Sequence, residues 1–227
     1  MQQLSPARPA SGPSRRSHWP LWWWLYAAML GRLDRWFGIR VLYVFRRPLA
    51  AEQDVSADLE PDYVFKVMAE EELLRHADNP DLHLHDDSIR EALKCGDVCF
   101  GILYRGYLIA YRWYSLSSST PCEGGLFIRY AYPGRAYGYK EFTHPDHRGK
   151  RLHQHTMKHS DGHLMNRGYT HTIGYIHTHN FASLRNNARM RGVQTIGFIF
   201  TMKLFGRHLI INSPGASRNK VSLAAEP

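Results

Sequence analysis

Cysteine is scarce and unpaired in this chain. Cys95, Cys99 and Cys122 are an odd number with no CxxC spacing, which excludes a disulfide framework and a zinc knuckle and points to a reducing compartment. Long apolar runs are missing too: Trp19 to Leu30 covers twelve residues, where a membrane-spanning helix needs about twenty. Arg15-Arg16 ahead of Leu21 to Ala28 partly imitates a secretory signal, but the tryptophans and the basic residues just downstream argue against cleavage. Lysine is absent from the first fifty residues, acid is reduced there to Asp34, and tryptophan occurs beyond Trp36 only as Trp113.

What is present is correspondingly lopsided. The first fifty residues hold eight arginines against one acid, so +7 of the formal net charge of +9 lies there and the remainder is nearly neutral. Trp19, Trp22, Trp23, Trp24 and Trp36 share that segment, a pairing that favours an anionic lipid surface over nucleic acid. Residues 1–18 and 213–227 are rich in small and polar residues and are expected to be disordered tails. Between Leu21 and Trp36, apolar residues recur every three to four positions, which predicts an amphipathic helix over 19–38 ended by Gly38. Residues 39–212 then form one catalytic-sized domain.

Within that domain the pattern predicts strands at Val41–Phe45 and Asp62–Met68, a short helix through Glu70–His76, and a helix capped by Asp86 or Asp87 and running to Lys94. Val98–Tyr104 and Tyr107–Tyr114 read as a hairpin about Arg105-Gly106. Leu126–Tyr130 and Arg135–Thr143 read as a second hairpin about Tyr132-Pro133-Gly134. A helix from about Gly149 to Asn166, a strand over Thr170–Thr178, a helix from Phe181 to about Met190 and strands over Thr195–Met202 and Arg207–Ile211 complete a mixed α/β order.

The segment His147-Arg148-Gly149-Lys150-Arg151-Leu152-His153 follows a strand and opens a helix, where free N–H groups and the positive dipole end suit a phosphate. With Glu141-Phe142-Thr143 before it, this run resembles the fourth strand and phosphate loop of the GNAT superfamily of N-acetyltransferases, whose pattern is (R/Q)-x-x-G-x-(G/A). Arg148 takes its first position, whereas its two small residues fall on Arg151 and His153. Asn180-Phe181-Ala182-Ser183 resembles the family's next motif, and the resemblance extends over residues from about 60 to 205.

That resemblance implies a central, mostly antiparallel mixed sheet flanked by helices, with two strands splayed about an acyl-CoA co-substrate. It implies coenzyme contacts at Phe142, Thr143, Arg148, Gly149, Lys150, Arg151, Leu152, His153, Asn180 and Ser183, and no metal. Period-two alternation puts Tyr137, Tyr139, Glu141 and Thr143 on one strand face and Tyr175, His177 and His179 on one face of the next. Glu141 is expected to be the base, with Tyr139 or Tyr175 as acid, since Asn187 stands where relatives often carry a tyrosine. The expected acceptor is an amine: a small molecule, an amino sugar or a peptide. A carrier-protein donor at the membrane and a non-catalytic acyl-CoA-binding protein are the alternatives. His155, His159 and His163 share one helix face, read as a solvent-facing stripe rather than metal ligands, and His144 and His147 flank the phosphate loop. The expected location is cytoplasmic, peripheral to the membrane through residues 19–37.

Overall fold

The computed structural model describes residues 20–50, 60–77, 79–117, 119–122, 126–130, 134–190 and 192–225. The tail expected over 1–18, Trp19 and the turn residues Tyr132 and Pro133 lie outside them. Helix α1 (Leu21–Phe37) ends where Gly38 takes a left-handed φ of 56° and donates its N–H to the Asp34 carbonyl at 2.8 Å. β1 (Arg40–Pro48), β2 (Tyr63–Val67), α2 (Glu70–Leu74) and α3 (Asp86–Lys94) follow. Asp86 is the first residue of α3, and His85, not an aspartate, precedes it as the cap. The chain continues through β3 (Val98–Tyr104), β4 (Tyr107–Ser115), β5 (Ser119–Cys122), β6 (Leu126–Tyr130) and β7 (Arg135–Thr143). Last come α4 (Leu152–Asn166), β8 (His171–His177), α5 (Phe181–Ala188), β9 (Gln194–Leu204), β10 (Arg207–Asn212), α6 (Pro214–Arg218) and β11 (Val221–Ala225).

The fold is mixed α/β. Eight strands form one sheet in the order β10-β9-β1-β8-β7-β4-β3-β2, and every neighbouring pair is antiparallel except β7 with β8. β1 therefore occupies the centre of the sheet, between strands more than a hundred residues further along the chain. Its last turn is fixed by a buried ion pair: Arg47 Nη2 donates to Asp161 Oδ1 of α4 at 2.6 Å, and Nη1 meets Oδ2 at 2.5 Å. One sheet face packs under α4 through Phe100, Tyr114, Ala136 and Leu164. The opposite face buries Leu42, Val44, Ile173, Ile196 and Ile199 under a second sheet, β11-β6-β5, and α6.

Four expectations are corrected here. Leu126–Tyr130 does not pair with Arg135–Thr143; β6 pairs with β5 and β11, while β7 lies between β4 and β8. Alternation fixes which residues of a strand face inward but not which strand lies beside it. The C-terminal segment expected to be disordered forms α6 and β11, and Ala216, Val221 and Leu223 are buried against the sheet. The histidine stripe of α4 does not face solvent: His155 is buried, His159 stacks on Phe65 with centroids 4.2 Å apart, and His163 meets Phe100 edge-on at 5.3 Å. The helix itself begins at Leu152, three residues later than its sequence suggests, because Gly149 and Arg151 both take left-handed backbone angles.

Candidate active site

β7 and β8 pair for three residues, from Arg135↔His171 to Tyr137↔Ile173, and then part. β7 keeps its other neighbour β4 as far as Thr143, and β8 keeps β1 as far as His177. Past Tyr137 one edge of β7 therefore faces a cleft instead of a strand. The cleft measures about 420 Å³ and is walled by residues 138–143, Tyr175, His153 and the α5 residues Asn180, Ser183 and Asn187. Tyr137 sits in the fork, its ring 5.9 Å from Tyr139 and 6.2 Å from Tyr175, the first outward-facing pair past the split.

A β-bulge decides which way the β7 side chains point. Trp113 pairs with Lys140 and Tyr114 with Gly138, leaving Tyr139 as the extra residue. An extra residue shifts the two-residue alternation by one. Tyr139 stays on the face of Tyr137, away from α4, with its hydroxyl donating to Asp97 Oδ2 at 2.8 Å, and the extra residue brings Lys140 to that face as well, where Nζ donates to the His83 carbonyl at 2.8 Å. Glu141 points the other way, so Tyr137 and Tyr139 share the expected face and Glu141 does not. Its carboxylate receives Arg112 Nη1 at 3.2 Å and lies against Nδ1 of His153.

His153 stands where the family pattern has a small residue. Burial, with the neighbouring guanidinium groups of Arg112 and Arg47, pushes its imidazole down to about 3. Burial thus disfavours the charged ring, whose Nδ1 lies against the Glu141 carboxylate and whose Nε2 is buried without a hydrogen-bond partner. Asn187 adds a second orphan: it is 2% exposed, and neither atom of its amide has a hydrogen-bond partner. An unmade hydrogen bond of this kind costs about 1–3 kcal/mol, which a ligand amide would relieve. Asn180 caps α5, its Oδ1 accepting from the Ser183 N–H at 3.2 Å.

The structure divides the expected contacts. Phe142, Thr143, His153, Asn180 and Ser183 border the cleft together with Glu141, Tyr139 and Tyr175. Arg148, Gly149, Lys150, Arg151 and Leu152 lie beyond its wall. Leu152 is a core residue. Lys150 turns to β2, where Nζ donates to the Tyr63 hydroxyl at 2.7 Å and lies 3.5 Å from Glu60. Arg148 is exposed, with Nε donating to the Thr143 carbonyl at 3.2 Å. Arg151 precedes α4 with no side-chain cap, so the first-turn amides of that fifteen-residue helix are not satisfied by a capping side chain. Arg112 was not legible as a site residue: it lies mid-strand in β4, outside any motif, and reaches Glu141 through strand pairing alone.

No protein-family model matches the sequence, and no curated protein matches it. Solved structures do match in three dimensions. The chain is similar to a GNAT-family protein from Novosphingobium aromaticivorans, at 14% identity over 72% of this chain and 63% of that one, with a TM-score of 0.49. It is also similar to a tandem GNAT protein from the clavulanic acid biosynthesis pathway, at 17% identity over 79% and 56% of the two chains and a TM-score of 0.44. An aminoglycoside N-acetyltransferase in complex with coenzyme A matches at 17% identity over 60% and 93%, with a TM-score of 0.43. The chain thus spans less than two thirds of the length of the first two of these structures.

Proposed function

We propose that this protein transfers an acyl group from acyl-coenzyme A to an amine. The observation that carries the reading is the parting of β7 and β8 after Tyr137↔Ile173, which leaves a strand edge open to a cleft. A pantetheine arm is itself a chain of amides and can pair with such an edge. Asn187 supplies a buried, unpartnered amide beside it. The uncapped start of α4, with Arg148 and Arg151 nearby, supplies N–H groups and positive charge for the phosphates.

In the reaction the amine nitrogen attacks the thioester carbonyl carbon, the C–N bond forms and the C–S bond breaks. The entering ammonium must first give up a proton, the attacking nitrogen loses a second, and one proton goes to the departing thiolate. Two carboxylates stand near the fork. Glu141 is held by the Arg112 guanidinium at 3.2 Å through one oxygen and lies against His153 through the other, so both its oxygens are engaged. Burial instead pushes the Asp97 carboxyl up, and its partner is Tyr139, at the fork itself. This reading takes the amine's proton towards Tyr139 and Asp97.

Acetyl-CoA tests the assignment directly. At a concentration a hundred times its dissociation constant it should stabilise the fold by about 2.7 kcal/mol, visible as a rise in Tm. Gly149 has a φ of 85°, and a Cβ there meets open space, so Gly149→Asp adds strain and a negative charge without a clash. The variant should lose most of the coenzyme-induced rise. An undiminished rise places the phosphates elsewhere. Release of free thiol with an amine panel separates an enzyme from a protein that merely binds the coenzyme.

A second reading concerns α1. The helix packs inward through Trp23, whose ring lies 4.3 Å from Phe181, through Tyr26, bonded to Thr178 at 3.1 Å, and through buried Leu30. Trp22, Trp24, Leu25, Met29 and Trp36 remain exposed, with Arg32 and Arg35 on the same helix. No helix among the described residues is long and apolar enough to cross a membrane. We propose that α1 rests on an anionic membrane surface, indoles at headgroup depth and arginines against phosphates.

A further inference from the structure

A second pocket, of about 330 Å³, lies on the face of β7 turned away from α4, between α3, the ends of β4 and β5, and Tyr139. Among the described residues, Tyr139 alone borders both this pocket and the coenzyme cleft. Asp97 lies in the wall and is 7% exposed. Its Oδ2 accepts from Tyr139, but Oδ1 is buried with no hydrogen-bond partner. The nearby Ser115 hydroxyl, whose oxygen accepts from Thr120 at 2.7 Å and whose own proton is left for Ser117 at 3.1 Å or for Asp97, favours the ionised form. Glu91 adds a second carboxylate, and none of the described residues lining the pocket is a cation. Apart from Ala92 and Cys95, the other lining residues carry hydroxyls.

We infer that this pocket seats the acceptor, and that the acceptor is a compact primary amine carrying an ammonium group and no carboxylate or phosphate. The inference rests on the acyl-transfer reading and names the substrate class for it. An ammonium supplies the donor that Asp97 Oδ1 lacks. An acidic group would be desolvated beside two carboxylates with no cation to pair it, which opposes binding by several-fold at least. The volume is near the small end of ligand pockets, about 300–1,000 Å³, and suits a single ring better than a folded peptide. Tyr139 then brings the bound nitrogen to the fork, where the thioester lies in the proposed coenzyme pose.

Phenethylamine, phenylalanine and glucosamine, compared as acceptors of acetyl-CoA by thiol release, test the class. The expected result is a kcat/KM for phenethylamine about tenfold or more above that for phenylalanine. Asp97→Asn should raise its KM about tenfold while the coenzyme-induced rise in Tm persists. Ser88→Trp, at an exposed position beside the pocket, should lose amine turnover in the same way and guards against a folding effect at Asp97. Without coenzyme, phenethylamine should slow alkylation of the exposed Cys95 in the pocket wall by iodoacetamide. Preference for phenylalanine, or acylation of none of the three by coenzyme-binding protein, overturns the substrate class. An unchanged KM in both variants overturns the pocket. Should acetyl-CoA give no rise in Tm, the acyl-transfer reading fails by itself, and Cys95 protection alone decides: protection supports an amine site, and its absence removes it.

Discussion

His153 and Glu141 show how one substitution in a loop pattern reorganises a site. An imidazole in place of a small residue fills the start of α4, and its burial disfavours the charged ring. As pH falls through about 6.5 the unfolded chain binds a proton that the folded ring refuses until about 3. This stability is whole above pH ~6.5 and is lost below it, by up to about 1.4 kcal/mol per unit. Burial shifts His76, His147, His163 and His171 in the same direction. The expected outcome is a Tm that drops between about pH 6.5 and 4.5, with a shallower, not flat, profile in His153→Gln. A variant profile matching the parent's would remove His153 from this account. Glu141→Gln separates the two carboxylates. A general base is worth about a hundredfold to ten-thousandfold, whereas a residue that only holds Arg112 and His153 should cost less than about tenfold in turnover. A loss of a hundredfold with unchanged coenzyme affinity would return the base to Glu141.

At the level of elements, much of the secondary structure was legible because its signals are local. The hairpin of β3 and β4 turns at Arg105 and Gly106, both left-handed, as the dipeptide suggests. The α1 stripe and its glycine stop are equally local. The bulge at Tyr139 was not legible, because it depends on the register with β4, and so the face of Glu141 was misassigned by a pattern that is correct only for an unbroken strand. The α4 histidines illustrate the same limit: four-residue spacing defines a face, but Phe65 and Phe100, which cover it, are brought by β2 and β3. Helix α1 allows a test that separates its two faces. Replacing Trp22, Leu25 and Met29 by serine removes exposed side chains and should leave Tm nearly unchanged, while abolishing sedimentation with phosphatidylserine vesicles. Trp23→Ala should instead lower Tm, because its ring packs on Phe181. If the unaltered protein ignores such vesicles at low salt, the membrane reading of α1 fails.

The whole molecule depends on long-range closure that composition conceals. β1 enters the middle of the large sheet, where its neighbours come from the last third of the chain, and Arg47 locks it to α4 through Asp161. The C-terminal segment closes the other side. Its Pro, Ser, Gly and Asn content reads as a tail, yet Ser213 caps α6, with its Oγ accepting from the Ala216 N–H at 3.4 Å, and β11 adds an edge to β6. Leu223 pairs with Ile128 and is 5% exposed in the cluster that also holds Ile173, next to the fork. A residue in a disordered tail can be truncated without effect, whereas removing a buried leucine side chain costs about 2–5 kcal/mol through lost burial and the cavity left behind. Leu223→Ala should therefore unfold at markedly lower denaturant with an unchanged slope, since the surface exposed on unfolding is nearly the same. Because Leu223 shares its cluster with Ile173 and Tyr137, at the point where β7 and β8 part, the variant should also bind acetyl-CoA more weakly below its unfolding transition. A midpoint identical to the parent's would detach β11 from the core and return residues 213–225 to a tail.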